Sequence, residues 1–143
     1  MANYYGKTRT NYFKVTDADA LCELSNLVCG DEDNVHLEVE SAPDGTKYYM
    51  LWCEGTILGI PDADDDEYYD YNYDEFIERL QKLLPDNEAV IITEVGNEKM
   101  RYLVGQIAVV TNKDIQWKNL NSLGKQIARE MLENPNWDTK NEY

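Results

Sequence analysis

The stretch that decides the fold is VHLEVESAPDGTKYYMLWCE, residues 35–54. Two alternating apolar and polar runs, 35–40 and 46–54, flank the sequence Ala42-Pro43-Asp44-Gly45. Proline suits the second position of a type I turn and glycine the left-handed residue that follows, so a three-residue hairpin with a bulge is predicted. This turn fixes the strand register. The predicted pairs on the core side are Leu37 with Leu51, Val39 with Tyr49, and Val35 with Cys53.

On the N-terminal side of the hairpin, the sequence predicts a strand and a short helix. Alternation around Tyr12 and Phe13 places the first strand at 8–15. The helix covers about 17–29, because Thr16 or Asp17 can cap it and four aliphatic residues then recur at helical spacing. Gly30 is the predicted stop.

On the C-terminal side, a second helix begins at Tyr73 or Asp74 and ends before Pro85. Its apolar stripe consists of Phe76, Ile77, Leu80, Leu83 and Leu84. The continuous apolar run 89–95 then predicts a central buried strand. We expect Gly96-Asn97 to turn the chain into a long strand at 100–111, broken or bulged near Gly105.

The last part of the chain predicts an edge strand at 114–120 and a third helix capped by Ser122 and ended by Asn134-Pro135. One side of this helix carries Leu123, Ile127, Met131 and Leu132. The predicted fold is therefore α+β: one domain over 1–143, with a mostly antiparallel sheet of about five to six strands packed by three helices. A chain of 143 residues is long enough to bury about two thirds of its unfolded surface in one core.

Charge is distributed very unevenly. Residues 15–78 contain nineteen acids and one base, Lys47, and the whole chain has a formal net charge of −15. Such a field attracts a basic protein and repels nucleic acid, so direct nucleic-acid binding is not expected. The one alternative is a small patch of Lys7, Arg9 and Lys14 with Tyr4, Tyr5 and Tyr12.

Location follows from composition. The sequence has no apolar run of the roughly 20 residues that a membrane span needs and no signal-peptide pattern at its start. The three cysteines, Cys22, Cys29 and Cys53, are odd in number and are expected to be reduced thiols. We therefore expect a cytoplasmic protein.

The sequence lacks most of the residues and motifs that enzymes use for catalysis. His36 is the only histidine, and the hairpin register turns it away from the nearest candidate nucleophile, Cys53. No zinc, phosphate-loop or dinucleotide motif is present, so no cofactor or metal is predicted. Clustered carboxylates at 62–67 attract hard cations, but the glycine and glutamate of an EF-hand are not in register.

The segment 61–73 is predicted to be an acidic, tyrosine-rich loop and the partner-binding site. Its carboxylates would imitate phosphates, and its rings would stack where bases do or anchor an interface. The candidate residues are Asp62, Asp64, Asp65, Asp66, Glu67, Tyr68, Tyr69, Asp70 and Tyr71. A basic channel built for phosphates, such as that of an RNA-guided or restriction nuclease, would attract this loop. The alternative is a solvated loop that keeps the protein soluble.

Four segments resemble a family of small acidic proteins carried on bacterial plasmids, phages and conjugative elements. They are YGKTRTNYFKVTD at 5–17, LLPDNEA at 83–89, EKMRY at 98–102 and AREMLENPNW at 128–137. The resemblance implies a mobile-element accessory protein, a class rich in anti-CRISPR and antirestriction inhibitors. It implies no catalytic residue.

Charge and resemblance together give the leading hypothesis: a non-enzymatic inhibitor of a host defence nuclease, of the type II anti-CRISPR kind, that engages the basic channel of Cas9. Two alternatives remain open. One is a regulatory or structural partner of a mobile-element protein, and the other is an enzyme that acts on guide RNA.

Overall fold

The computed structural model describes residues 4–62, 70–98 and 102–139. The helices are α1 (Ala18–Leu27), α2 (Tyr73–Lys82) and α3 (Leu120–Leu132). The strands are β1 (Tyr4–Thr10), β2 (Cys29–Gly30), β3 (His36–Ser41), β4 (Lys47–Glu54), β5 (Ile57–Pro61), β6 (Tyr71–Asn72), β7 (Val90–Glu98), β8 (Tyr102–Val110) and β9 (Ile115–Asn119). A six-stranded antiparallel sheet has the order β3-β4-β1-β7-β8-β9, and a small sheet has the order β2-β5-β6. The predicted α+β class is confirmed.

The hairpin of β3 and β4 has the predicted register, with Leu37 opposite Leu51 and His36 opposite Trp52. The turn also agrees: Gly45 has a φ of 91°, and the Gly45 N–H donates to the Ala42 carbonyl at 2.9 Å. One core candidate was wrong, because Val39 is 52 % exposed. It lies on β3, the edge strand of the large sheet, so its side chain has little protein above it.

The core lies between one face of the large sheet, which we call the inner face, and helices α1 and α2. Alternate residues of β1, β4 and β7 point inward, and β1 contributes the buried Thr8 and Thr10. The largest fully buried side chains in the described residues include Phe13, Leu21, Leu51, Phe76 and Leu80. Helices α1 and α2 therefore each bury apolar residues in this core, as expected from their sequences, although Leu27 at the end of α1 is exposed.

Several predicted boundaries needed correction. The first strand is Tyr4–Thr10, not 8–15, and Phe13 forms only an isolated bridge with Tyr49. Helix α1 ends at Leu27, and Gly30 lies in a short strand. The strand Ile57–Pro61 was not predicted. Helix α3 is capped by Asn119, whose side chain accepts from the Ser122 N–H at 2.8 Å, so Ser122 is not the cap.

The central strand β7 is longer than predicted and alternates in burial. Gly96 and Asn97 do not form a turn: they pair with β1 on one side and with β8 on the other. Val95 pairs with Gly105 in an unbroken register, so the predicted bulge at Gly105 is absent from the described pairing. Ile91 and Val95 face outward and are exposed, because the outer face of the sheet has no covering layer at these positions.

Helix α3 contributes no buried residue in the described structure. Its predicted apolar side exists, but Leu123, Ile127, Met131 and Leu132 are all exposed. No helix of the described part of the chain is long and apolar enough to cross a membrane.

Candidate functional site

The described ends of the acidic segment belong to an antiparallel pair of strands, β5 and β6. Ile60 pairs with Asn72 and Pro61 with Tyr71, and the Asp62 N–H donates to the Asp70 carbonyl at 2.7 Å. The predicted loop 61–73 is therefore too long, because its ends belong to a ladder and to helix α2. Among the predicted site residues, Asp62, Asp70 and Tyr71 are exposed. The others, Asp64, Asp65, Asp66, Glu67, Tyr68 and Tyr69, lie outside the described residues.

Three carboxylates lie together at the end of the β5–β6 ladder. Asp62, Asp70 and Asp74 line a depression of about 360 Å³ together with Tyr71 and Tyr73. The depression lies where α2 begins, and the positive end of the helix dipole favours the nearby Asp74. We call these five residues the acidic base. It presents negative charge and two aromatic rings on the same surface, and two of its residues, Tyr73 and Asp74, are not among the predicted site residues.

Residues 15–78, which we call the acidic stretch, carry many of their acids on the protein surface. Its exposed acids in the described ranges are Asp17, Asp19, Glu23, Asp31, Glu32, Glu38, Glu40, Asp44, Asp62, Asp70, Asp74 and Glu78. Within those ranges, none of them forms an ion pair with a lysine, arginine or histidine side chain. Asp33, Glu54 and Glu75, which are partly buried, do form ion pairs, with His36, Lys7 and Arg79. The twelve exposed acids are therefore available to an external cation or a basic protein.

A buried carboxylate near the acidic base was not predicted. Glu94 lies on the inner face of β7 and is only 7 % exposed. Its Oε2 accepts from the Tyr4 hydroxyl at 2.7 Å and from the Thr56 hydroxyl at 3.0 Å, and its Oε1 accepts from Gln106 Nε2 at 3.3 Å. All three donors are neutral. In the described residues no basic side chain forms an ion pair with Glu94.

The Glu94 carboxylate changes the titration of two tyrosines. Burial raises the pKa of Tyr4 well above its ordinary value, and the hydrogen bond to Glu94 raises it further. Burial likewise raises the pKa of Tyr73 to about 12, with a smaller contribution from the negative charge of Glu94. Both phenols therefore stay protonated, and able to donate a hydrogen bond, at alkaline pH values where an ordinary tyrosine ionises.

Glu94 and Tyr73 line one cavity of about 310 Å³. Ile57 and Ile92 supply apolar surface, and the indole of Trp117 forms part of the wall. We call this the Glu94 cavity. Because Tyr73 also belongs to the acidic base, the two sites adjoin. The sequence did contain a signal for this cavity: Glu94 is the single charged residue in the apolar run 89–95.

The candidate Cys–His pair is not assembled. His36 lies opposite Trp52, stacks on it at 4.3 Å between ring centroids, and hydrogen bonds through Nε2 to Asp33 Oδ2 at 2.7 Å. Cys53 is buried on the other face, and burial raises the pKa of its thiol to about 12. The thiol therefore has neither a base nor a tendency to form thiolate. This agrees with the register argument made from the sequence.

Most of the alternative basic patch lies together: Tyr5, Lys7 and Arg9 alternate on the outer face of β1, and Tyr12 lines a depression with Lys7 and Arg9. Lys7 and Arg9 point outward, and Lys7 Nζ lies 3.7 Å from Glu54 Oε1. Tyr4 points to the inner face, where it binds Glu94. Within the described ranges, no His, Cys, Asp or Glu side chains form a group of three or more that could hold a metal ion. All three cysteines are free thiols.

Comparisons with protein-family models, curated proteins and solved structures find no match for this chain. Its function is therefore inferred from its own residues.

Proposed function

We propose that this chain is a mobile-element-encoded inhibitor of a host defence nuclease, a type II anti-CRISPR protein that binds the basic nucleic-acid channel of Cas9 by acidic mimicry. The observation that carries the proposal is the set of twelve exposed acids within 15–78 that form no ion pair in the described ranges. A groove that holds an RNA–DNA duplex by its phosphates presents the complementary charge. Such a protein acts in the cytoplasm, where the nuclease meets its target.

The acidic base supports a local contact within this general attraction. Asp62, Asp70 and Asp74 are held close together by the β5–β6 ladder and the first turn of α2. A preformed cluster loses less conformational entropy on binding than the same charges on a free chain. Tyr71 is exposed beside the cluster and supplies an aromatic group of the kind enriched at interface hot spots.

The separated positions of His36 and Cys53 favour binding over chemistry. Binding by charge attraction also predicts that inhibition depends on the salt concentration. Raising ionic strength shortens the Debye length to about 3 Å at 1 M, so inhibition should weaken strongly as salt is added.

The test is a DNA cleavage assay with Cas9 loaded with guide RNA. A loop variant replaces Asp62, Asp64, Asp65, Asp66, Glu67 and Asp70 by their amides. A control variant makes the same replacement at Asp19, Glu23, Glu32, Glu38, Glu40 and Glu78, which are exposed acids elsewhere in the stretch. Both variants remove six negative charges. We expect the loop variant to lose at least tenfold in inhibition and the control variant to lose much less.

Undiminished inhibition by the loop variant would rule out the loop as the interface. If the wild-type chain inhibits none of the nucleases tested from several defence systems, the proposal that it is a nuclease inhibitor is wrong.

A second candidate function is favoured by a different observation, the exposed apolar side of α3. Exposed apolar patches mark sites of protein–protein contact. The apolar side of α3 therefore suits a regulatory or structural partner of a mobile-element protein, which could bind there without using the acidic surface. Affinity capture from host lysate and from cells that carry the element distinguishes the two candidates. Recovery of a nuclease supports the inhibitor, and recovery of transfer or replication proteins alone supports the second candidate.

A further inference from the structure

We propose that the Glu94 cavity is a binding pocket for a guanidinium group, which an arginine side chain of the basic partner supplies. The inference deepens the proposed function and rests on it for the source of the arginine. The pocket itself is argued from the residues that line it.

The acceptor is the carboxylate of Glu94. Its two oxygens can accept about four hydrogen bonds, and the described residues supply three, all from neutral donors. Oε1 receives only the 3.3 Å bond from Gln106, so it is the oxygen with capacity for a further donor. A buried carboxylate gains most from a cationic donor, because charge-assisted hydrogen bonds are roughly twice as strong as neutral ones.

The walls suit a flat cation. Tyr73 and Trp117 both line the cavity, and Trp117 is 56 % exposed although it lies on the inner side of edge strand β9. Aromatic faces attract guanidinium by cation–π interaction and by stacking, and a planar group uses such walls better than an ammonium does. Ile57 and Ile92 provide apolar surface for the aliphatic part of an arginine side chain.

The size also fits a side chain. About 310 Å³ lies at the lower limit of the roughly 300–1,000 Å³ found for small-molecule pockets. That volume suits one long side chain better than a nucleotide or a cofactor. Position agrees as well, because Tyr73 joins the cavity to the acidic base. A basic segment attracted to Asp62, Asp70 and Asp74 therefore has an arginine pocket beside it.

The first experiment uses the purified full chain and a free probe, N-acetyl-arginine amide. Binding is followed by the indole N–H resonances in two-dimensional NMR. We expect the Trp117 resonance to shift saturably, with Trp52 unchanged because Trp52 lies on the opposite face of the sheet. The uncharged analogue N-acetyl-citrulline amide should produce no such shift. Equal shifts with both probes, or none with either, would overturn the proposal.

Two variants locate the site. Glu94→Gln should weaken arginine-amide binding at least tenfold. Trp117→Ala should weaken it severalfold, and since this side chain is largely exposed the variant tests the pocket even if Glu94→Gln fails to fold. For Trp117→Ala the readout is the shift of the Thr56 and Tyr73 backbone amides. If either variant folds and still binds N-acetyl-arginine amide with the affinity of the wild type, the assignment of the pocket is wrong.

Failure of this proposal and failure of the proposed function are distinguishable. If the probe binds but the wild-type chain inhibits no nuclease, the pocket stands and its arginine comes from another basic partner. If inhibition depends on the loop acids but the probe does not bind, the inhibitor stands and the pocket is wrong.

Discussion

Helices α2 and α3 have similar amphipathic sequences but very different environments. In α2, Phe76, Ile77 and Leu80 are almost completely buried against the inner face of the sheet. In α3, no residue is buried, and Ile127 remains 47 % exposed. Both helices carry an apolar stripe at helical spacing, and both begin with an asparagine cap. The comparison teaches that an apolar stripe predicts a helix and a face that needs cover, but does not say what covers it.

The largest expected effect comes from truncating the buried stripe. Phe76→Ala should lower the free energy of unfolding by about 3–5 kcal/mol, because it removes a fully buried ring and leaves a cavity. The matched change Ile127→Ala should cost below about 1 kcal/mol, because half of that side chain is already in water. Urea denaturation at two protein concentrations measures both. A comparable cost for Ile127→Ala, appearing only at the higher concentration, would mean that a second copy covers α3.

The next effect concerns the close contact between Gly59 in β5 and the backbone at the start of α2. Gly59 has a φ of 122°, and a Cβ there would lie 2.6 Å from the carbonyl carbon of Asn72. Gly59→Ala should therefore cost about 2–3 kcal/mol through backbone strain and forced separation from α2. Gly45→Ala is the control, since Gly45 has a φ of 91° but no atom within 4 Å of an added Cβ. In thermal unfolding, Gly45→Ala should lower the melting temperature less than Gly59→Ala does. If both variants lower it equally, the crowding at Asn72 contributes nothing to the cost.

A smaller effect is expected at alkaline pH. Tyr73 begins α2, and burial raises its pKa to about 12 from the ordinary 10.0. Above pH 10 the unfolded chain loses this proton before the folded chain does, so stability falls as pH rises. Between pH 9 and 11 the wild type should lose about 1 kcal/mol more than Tyr73→Phe, which has no proton to lose. Denaturation of both proteins across that range measures the difference, and parallel curves would show that Tyr73 is freely solvated.

The smallest effect comes from the two caps. Asn72 Oδ1 accepts from the Glu75 N–H at 2.9 Å, and Asn119 plays the same role for α3. Asn72→Ala should lower global stability by about 0.5–1 kcal/mol. Asn119→Ala should leave global stability nearly unchanged but increase amide hydrogen exchange within α3, because that helix can open without breaking the core. Equal global losses would show that α3 unfolds together with the domain.

Local chemistry explains what the sequence could predict. The register of the β3–β4 hairpin follows from the turn Ala42–Gly45, and the stripe of α2 follows from helical spacing. The exposed position of Asp62, Asp70 and Tyr71 follows from their polar surroundings. These features depend only on neighbours in the sequence.

Features that depend on distant neighbours were missed. Gly96 was predicted to turn the chain, yet it lies opposite Gly6 in the sheet, and a Cβ on it would lie 2.7 Å from the Gly6 Cα. A glycine required for close approach between strands cannot be told from a turn glycine by sequence alone. The hydrogen bonds of Glu94 come from three separate strands or their flanks, so its network could not be read from the apolar run that contains it.

The backbone hydrogen bond between Asp62 and Asp70 extends the ladder of β5 and β6 to the ends of the acidic segment. Because the ladder of β5 and β6 already joins residues 60–62 to 70–72, the paired strands do not depend on how many residues connect Asp62 to Asp70. Loop-closure entropy rises by only about 0.6 kcal/mol for each doubling of loop length. The length and sequence between Asp62 and Asp70 can therefore change without selecting a new fold.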